Sequence, residues 1–71
     1  MITKELLLSF MKERDSDIVA IENFKINKST IYIDTLEVIY IGNERHEFRD
    51  TCLLNIKYLE KWLSKKKIEL I

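Results

Sequence analysis

The first fourteen residues carry hydrophobic side chains at the spacing of an α-helix, in which residues three and four positions apart share a face. The residues on that face are Leu6, Leu7, Phe10 and Met11. Thr3 precedes them and can act as the N-cap, because its hydroxyl can accept a hydrogen bond from a free backbone N–H. The pattern predicts a first helix that ends near residue 14.

From residue 18 the hydrophobic positions follow a period of two, which is typical of β-strands with one buried face. A two-residue loop at 28–29 would set Ile26 opposite Ile31 and Phe24 opposite Ile33. All four side chains then point to the same side of a β-hairpin.

A second hairpin is indicated by the only glycine of the chain, Gly42, since a tight hairpin turn needs a positive φ. An even-length loop there puts His46 and Phe48 on the face of the hydrophobic residues of the preceding strand. Glu47 then points to the opposite face.

Helical spacing returns near the C-terminal end and predicts a second helix over residues 51–66. Asp50 or Thr51 is the expected N-cap. A short final strand at 68–71 would follow. The expected inward stripe of the helix consists of Cys52, Ile56, Leu59 and Leu63.

These elements predict one small α+β domain over residues 1–71, in the order α-β-β-β-α. Strands joined by short turns pair antiparallel, so we expect a three-stranded meander with both helices packed on one face. The alternation breaks at Glu22, where we expect a β-bulge that turns Val19 and Ile21 inward.

The small size favours association with other molecules. A chain of 71 residues buries only about 60% of the surface that its unfolded form exposes, so its stability margin is thin. Its single cysteine excludes a disulfide within the chain. Good packing or a partner subunit must then supply the stability.

The stretch His46-Glu47-x-x-Asp50 is the best candidate for a chemical site, because it holds the only histidine. Zinc needs three or four converging ligands, and a strand would send His46 and Glu47 to opposite faces. Cys52 falls on an inward stripe, where a free cysteine behaves as a small hydrophobe. We therefore predict no catalytic residues, no metal and no cofactor.

Charge is balanced overall but unevenly distributed. Residues 1–50 carry seven Lys and Arg against ten Asp and Glu, whereas residues 51–71 carry five Lys against two Glu. With no long apolar segment and a lone thiol, we expect a cytosolic protein with no membrane partner. The chain is rich in isoleucine and lysine and has one alanine and no proline. That usage is typical of an AT-rich genome.

The second predicted helix carries the most informative surface. Large apolar residues there fall away from its inward stripe and alternate with lysines, which is typical of a contact surface. The predicted partner-binding residues are Leu54, Tyr58, Lys61, Trp62 and Lys65. The alternative interpretation is that the first helix or the C-terminal segment 68–71 covers Trp62 and that the lysines are simply solvated.

A second candidate surface is the outer face of the sheet, which is unusually apolar for a solvent-facing surface. Its predicted interface residues are Tyr32, Leu36, Val38 and Tyr40. Self-association there, as a homodimer, would compensate for the small core.

These features together favour a small, non-enzymatic interaction protein that binds and modulates a protein partner. Compact binders of this kind suggest an origin in a phage or mobile element. The alternative hypothesis is a nucleic-acid-binding module that uses the basic, aromatic C-terminal helix. The acidic first fifty residues weigh against that alternative, because they repel phosphates.

Overall fold

A computed structural model describes residues 2–70 of the chain, with side chains described as far as Lys66. Three strands form one antiparallel sheet in the order β1-β2-β3, and a helix lies at each end of the chain. The elements are α1 (Lys4–Arg14), β1 (Ile18–Asn27), β2 (Thr30–Ile41), β3 (Glu44–Asn55) and α2 (Ile56–Leu70). The predicted α+β class and α-β-β-β-α order are confirmed.

The first helix begins and ends as the sequence predicts. The backbone N–H of Leu6 donates to the Thr3 hydroxyl at 3.1 Å, so Thr3 is the N-cap. At the other end, the N–H of Asp15 donates to the Met11 carbonyl at 2.9 Å. The buried face of α1 consists of Leu7, Phe10 and Met11.

The first hairpin has the predicted register. Phe24 lies opposite Ile33 and Ile26 lies opposite Ile31, with a two-residue turn between the strands. Lys28, the first residue of that turn, has a φ of 58°. Among the described residues Lys28 is the only non-glycine residue with a positive φ, so the second turn residue, Ser29, has a negative φ. That combination is a type II′ turn, whose first position is normally occupied by glycine.

Strand β1 contains two register shifts, one between Ile18 and Ala20 and one between Ile21 and residue 23. Each shift accommodates an extra residue, so Ile18, Ile21 and Phe24 all face the core at a spacing of three. The expected bulge near Glu22 is therefore present and Ile21 is buried. The inward placement of Val19 is wrong, because that residue occupies the other bulge and is exposed.

The boundary between β3 and α2 differs from the prediction. Residues 51–55 continue β3 and pair with β2, and the helix starts only at Ile56. Neither Asp50 nor Thr51 caps it. Asn55 does, because its side-chain oxygen accepts the Lys57 N–H at 2.9 Å. The predicted strand at 68–71 is wrong for 68–70, which are the last residues of α2, and Ile71 lies outside the described residues.

Both helices pack on the same face of the sheet, as predicted. Their contact residues join inward-facing residues of all three strands in one hydrophobic core. The buried members are Leu7, Phe10, Met11, Ile18, Ile21, Ile31, Ile33, Leu54 and Leu59. Each residue of the expected second-helix stripe faces this core, although Cys52 does so from β3.

The hairpin of β2 and β3 extends beyond the part of the sheet that the helices cover. Strand β1 pairs with β2 only as far as Glu37, so the remaining residues form a two-stranded arm that ends in a turn at Gly42. Gly42 has the predicted positive φ of 65°. On the helix side of this arm, Ile41 is 62% exposed and Phe48 is 47% exposed.

Candidate functional site

The sheet has one face packed against the helices and one face that no described helix covers. We call the second the open face, and the pairing register places alternate residues of each strand on it. From β1 it includes Ala20, Asn23 and Lys25; from β2, Tyr32, Asp34, Leu36, Val38 and Tyr40; and from β3, Arg45, Glu47, Arg49, Thr51, Leu53 and Asn55. All four residues of the predicted secondary interface therefore lie on one face of the sheet.

Apolar side chains occupy both ends of the open face. At the arm end, Leu36, Val38 and Tyr40 follow one another along β2, and Tyr40 is 65% exposed. Val38 itself is buried, with 9% of its surface exposed, so this predicted interface residue is not available to a partner. At the other end, Tyr32 lies opposite Leu53, which is 67% exposed. The sequence prediction missed Leu53, although its position between inward-facing Cys52 and Leu54 is a period-two signal.

A polar row separates the two apolar patches. Asn23, Asp34 and Thr51 lie side by side across the three strands, and the Thr51 hydroxyl donates to the Asp34 carboxylate at 2.8 Å. With Lys25 and Tyr32, they line a shallow groove of about 380 Å³. The groove offers donors and acceptors that can fix the orientation of a bound surface.

Charges of both signs surround the open face. The Arg49 Nε donates to the Glu22 carboxylate at 3.2 Å, and Arg45 pairs with Glu47 at 3.0 Å. The Lys25 ammonium lies 5.4 Å from the centre of the Tyr32 ring, within cation–π range. Such mixed charge does not favour a polyanion, which needs a concentration of positive charge.

The predicted surface on α2 is only partly formed. Tyr58 is 60% exposed and Lys61 and Lys65 are exposed. Leu54 was placed wrongly, because it lies in β3 opposite Ile31 and is 5% exposed. Its side chain belongs to the core and is not available to a partner.

Trp62 packs between α1 and α2. The first helix therefore covers it, as the alternative interpretation of the sequence expected. Its ring meets that of Phe10 edge to face, with centroids 5.4 Å apart. Its indole Nε1 donates to the Glu13 carboxylate, and the side chain is partly buried against the core. Trp62 is therefore not the exposed binding residue that the sequence predicted on α2.

The residues of the His46-Glu47-x-x-Asp50 stretch do not converge. His46 lies opposite Ile39 and Glu47 opposite Val38, so the two side chains lie on different faces, as predicted. Asp50 pairs with Thr35 on the helix side, four residues along the strand from His46. Among the described residues, no group of three or more His, Cys, Asp or Glu side chains is placed to hold a metal ion.

Two carboxyl groups interact where α1 meets the sheet. A hydrogen bond with Glu37 lowers the pKa of Asp15, and the same hydrogen bond raises the pKa of Glu37. Repulsion from the carboxylates of Asp15, Asp17 and Asp50 further raises the pKa of Glu37. These groups border the helix side of the sheet and do not form part of the open face.

The fold and surface thus define a small α+β domain with one sheet face that no described helix covers and that carries two apolar patches. No protein-family model, no curated protein and no solved structure matches the chain. Within the described residues, no helix has the length and apolar character needed to cross a membrane.

Proposed function

We propose that this chain is a non-enzymatic interaction domain that binds and modulates another protein through the open face. The observation that carries the proposal is the placement of Tyr40 and Leu53, both about two-thirds exposed, on the sheet face that no described helix covers. Large exposed apolar groups rimmed by polar residues are characteristic of protein-binding surfaces.

The chemistry of the open face indicates the kind of partner. Its two apolar patches suit hydrophobic or aromatic side chains, and the polar row between them can exchange hydrogen bonds with a polypeptide. The charged residues at its margin, Arg45, Glu47 and Arg49, favour a partner with charges of both signs. Tyrosine supports such contacts well, because its ring is apolar and its hydroxyl is polar.

A capture experiment with matched variants tests the proposal. Tagged wild-type protein and the Tyr40→Ser, Leu53→Ser and Tyr58→Ser variants would be used to recover partners from a lysate of the source cell. We expect Tyr40→Ser and Leu53→Ser to lose the partner, and Tyr58→Ser on α2 to retain it. Interface aromatic residues commonly contribute about 2 kcal/mol or more to binding, so the loss should be clear.

Nuclease treatment of a parallel sample separates this proposal from nucleic-acid binding. A protein partner survives the treatment, whereas material bridged by nucleic acid does not. Binding through Lys57, Lys61 and Lys65 would also weaken steeply with added salt because counterions are released. Loss of the partner only in the Tyr58→Ser variant, or only after nuclease treatment, would contradict binding through the open face.

A further inference from the structure

The outer edge of β3 has no partner strand in the described structure. This strand is twelve residues long, from Glu44 to Asn55, and pairs only with β2. A two-residue turn is closed by a hydrogen-bonded residue pair, here Ile41 and Glu44. Hydrogen-bonded and non-hydrogen-bonded pairs then alternate along the strand, so the even-numbered residues of β3 direct their backbone N–H and C=O groups to β2. The backbone groups of the odd-numbered residues 45–53 therefore point outward, where another strand can pair with them.

The charges along this edge alternate in sign, and one register makes them complementary to a second copy of the same strand. In two antiparallel copies related by a two-fold axis, residues of the same face lie opposite each other. One residue therefore lies opposite its own copy, and the axis passes between the two; each register is named here by that residue. With the axis at Phe48, Glu47 lies opposite Arg49 of the second copy, and His46 lies opposite Asp50. By symmetry each of these pairs occurs twice.

The neighbouring registers are less favourable, either because like charges meet or because the pairing is short. An axis at Glu47 sets that carboxylate against its own copy and sets Arg45 against Arg49 twice. An axis at Arg49 brings two guanidinium groups together. An axis at His46 leaves only about five residues of each strand in the pairing, because the turn at 42–43 ends the strand. Like charges directly opposite each other destabilise a sheet, so the axis at Phe48 is favoured.

The same register covers exposed apolar surface on the arm. Phe48, 47% exposed, meets Phe48 of the second copy across a non-hydrogen-bonded pair, where side chains approach most closely. Leu54 of the second copy falls level with the turn at Gly42. The second copy's α2 then starts beside the tip of the arm, where Ile41 is 62% exposed.

We propose that two copies of this chain dimerise by antiparallel pairing of their β3 edges about a two-fold axis at Phe48, forming one six-stranded sheet. The pairing adds about eight backbone hydrogen bonds, two for each hydrogen-bonded residue pair. It leaves both open faces on the same side of the sheet. The proposal uses the edge of β3 and does not depend on the proposed function of the open face.

Charge exchange tests the proposed register. Sedimentation equilibrium would give the dimer Kd of the wild type, of Glu47→Arg, of Arg49→Glu and of the double variant. Each single substitution should raise Kd about tenfold or more, because two attractive cross-strand pairs become repulsive. The double variant should return Kd close to the wild-type value. Circular dichroism would verify that each variant is folded.

A disulfide trap provides an independent test. In a Cys52→Ser background, Phe48→Cys should form a covalent dimer on oxidation, since the Cα atoms of such a pair lie about 4.5 Å apart. The matched control, Glu47→Cys in the same background, should stay monomeric under the same oxidation. The Cα atoms of the two copies of residue 47 would be more than about 7 Å apart, too far for a disulfide. A wild-type chain that stays monomeric at every concentration, or a dimer insensitive to both tests, would overturn the proposal.

Discussion

Leu53 and Leu54 are neighbours in the sequence but lie in opposite environments. Leu54 is 5% exposed and packs in the core opposite Ile31, whereas Leu53 is 67% exposed on the open face opposite Tyr32. The difference arises because successive side chains of a strand point to opposite faces of a sheet. In a helix starting at Thr51, the two residues would differ in direction by much less than a half-turn.

Alanine substitution at these two positions tests the strand assignment. Leu54→Ala should lower the free energy of unfolding by about 2–5 kcal/mol, because it leaves a cavity in the core. Leu53→Ala is the matched control and should change it by less than about 0.5 kcal/mol. Urea denaturation followed by circular dichroism gives both values. Similar losses for the two variants would contradict the observed end of β3.

The two hairpins have turns of the same length but different amino acids. Lys28 has a φ of 58° and Gly42 a φ of 65°, each at the first position of a two-residue turn. The left-handed region disfavours residues with a Cβ, so the first turn is strained and the second is not. The pairing of Phe24 and Ile26 with β2 therefore holds the first hairpin together despite its turn.

Exchanging the residue type at the two turns should shift stability in opposite directions. Lys28→Gly should raise the free energy of unfolding by about 0.5–1 kcal/mol, the relief of strain being partly offset by the entropy of glycine. Gly42→Ala should lower it by about 1–2 kcal/mol. Apart from its two neighbours in the chain, no described residue has a heavy atom within 4 Å of a Cβ added at Gly42, so a loss of stability there reports on φ alone. Thermal unfolding measures both changes, and a loss for Lys28→Gly would contradict the turn assignment.

At the scale of the whole molecule, the sheet is larger than the area that the two helices cover. The principal extents are 41, 30 and 15 Å, so the domain is thin in one direction. The arm of β2 and β3 and the open face both carry apolar side chains outside the core. A domain of this size has little stability to spare, and pairing two β3 edges would bury part of this surface.

Dimerisation through β3 should make the stability depend on protein concentration. A partner that binds only the folded chain stabilises it by mass action, so Tm should rise as wild-type concentration increases. The Glu47→Arg variant should show a lower Tm that varies less with concentration over the same range. Differential scanning calorimetry at several concentrations makes the comparison. A wild-type Tm independent of concentration would contradict a dimer that dissociates on unfolding.

Most of the fold was predictable because short-range patterns encode it. The Thr3 cap, the pairing of Phe24 with Ile33 and the turn at Gly42 each depend on residues close in the sequence. The opposite directions of His46 and Glu47 also follow from strand geometry alone. Of the candidate surfaces, the residues of β2 on the open face were predicted together, because a period of two assigns them to one face.

The end of β3 was decided only by the tertiary structure. Cys52 and Ile56 are four residues apart, a spacing that is an even number for a strand and about one turn for a helix. The sequence by itself therefore fits either element. Pairing with the whole length of β2 selects the strand as far as Asn55, because these residues then complete the backbone hydrogen bonds of a buried central strand. That choice moves Leu54 into the core and turns Leu53 outward.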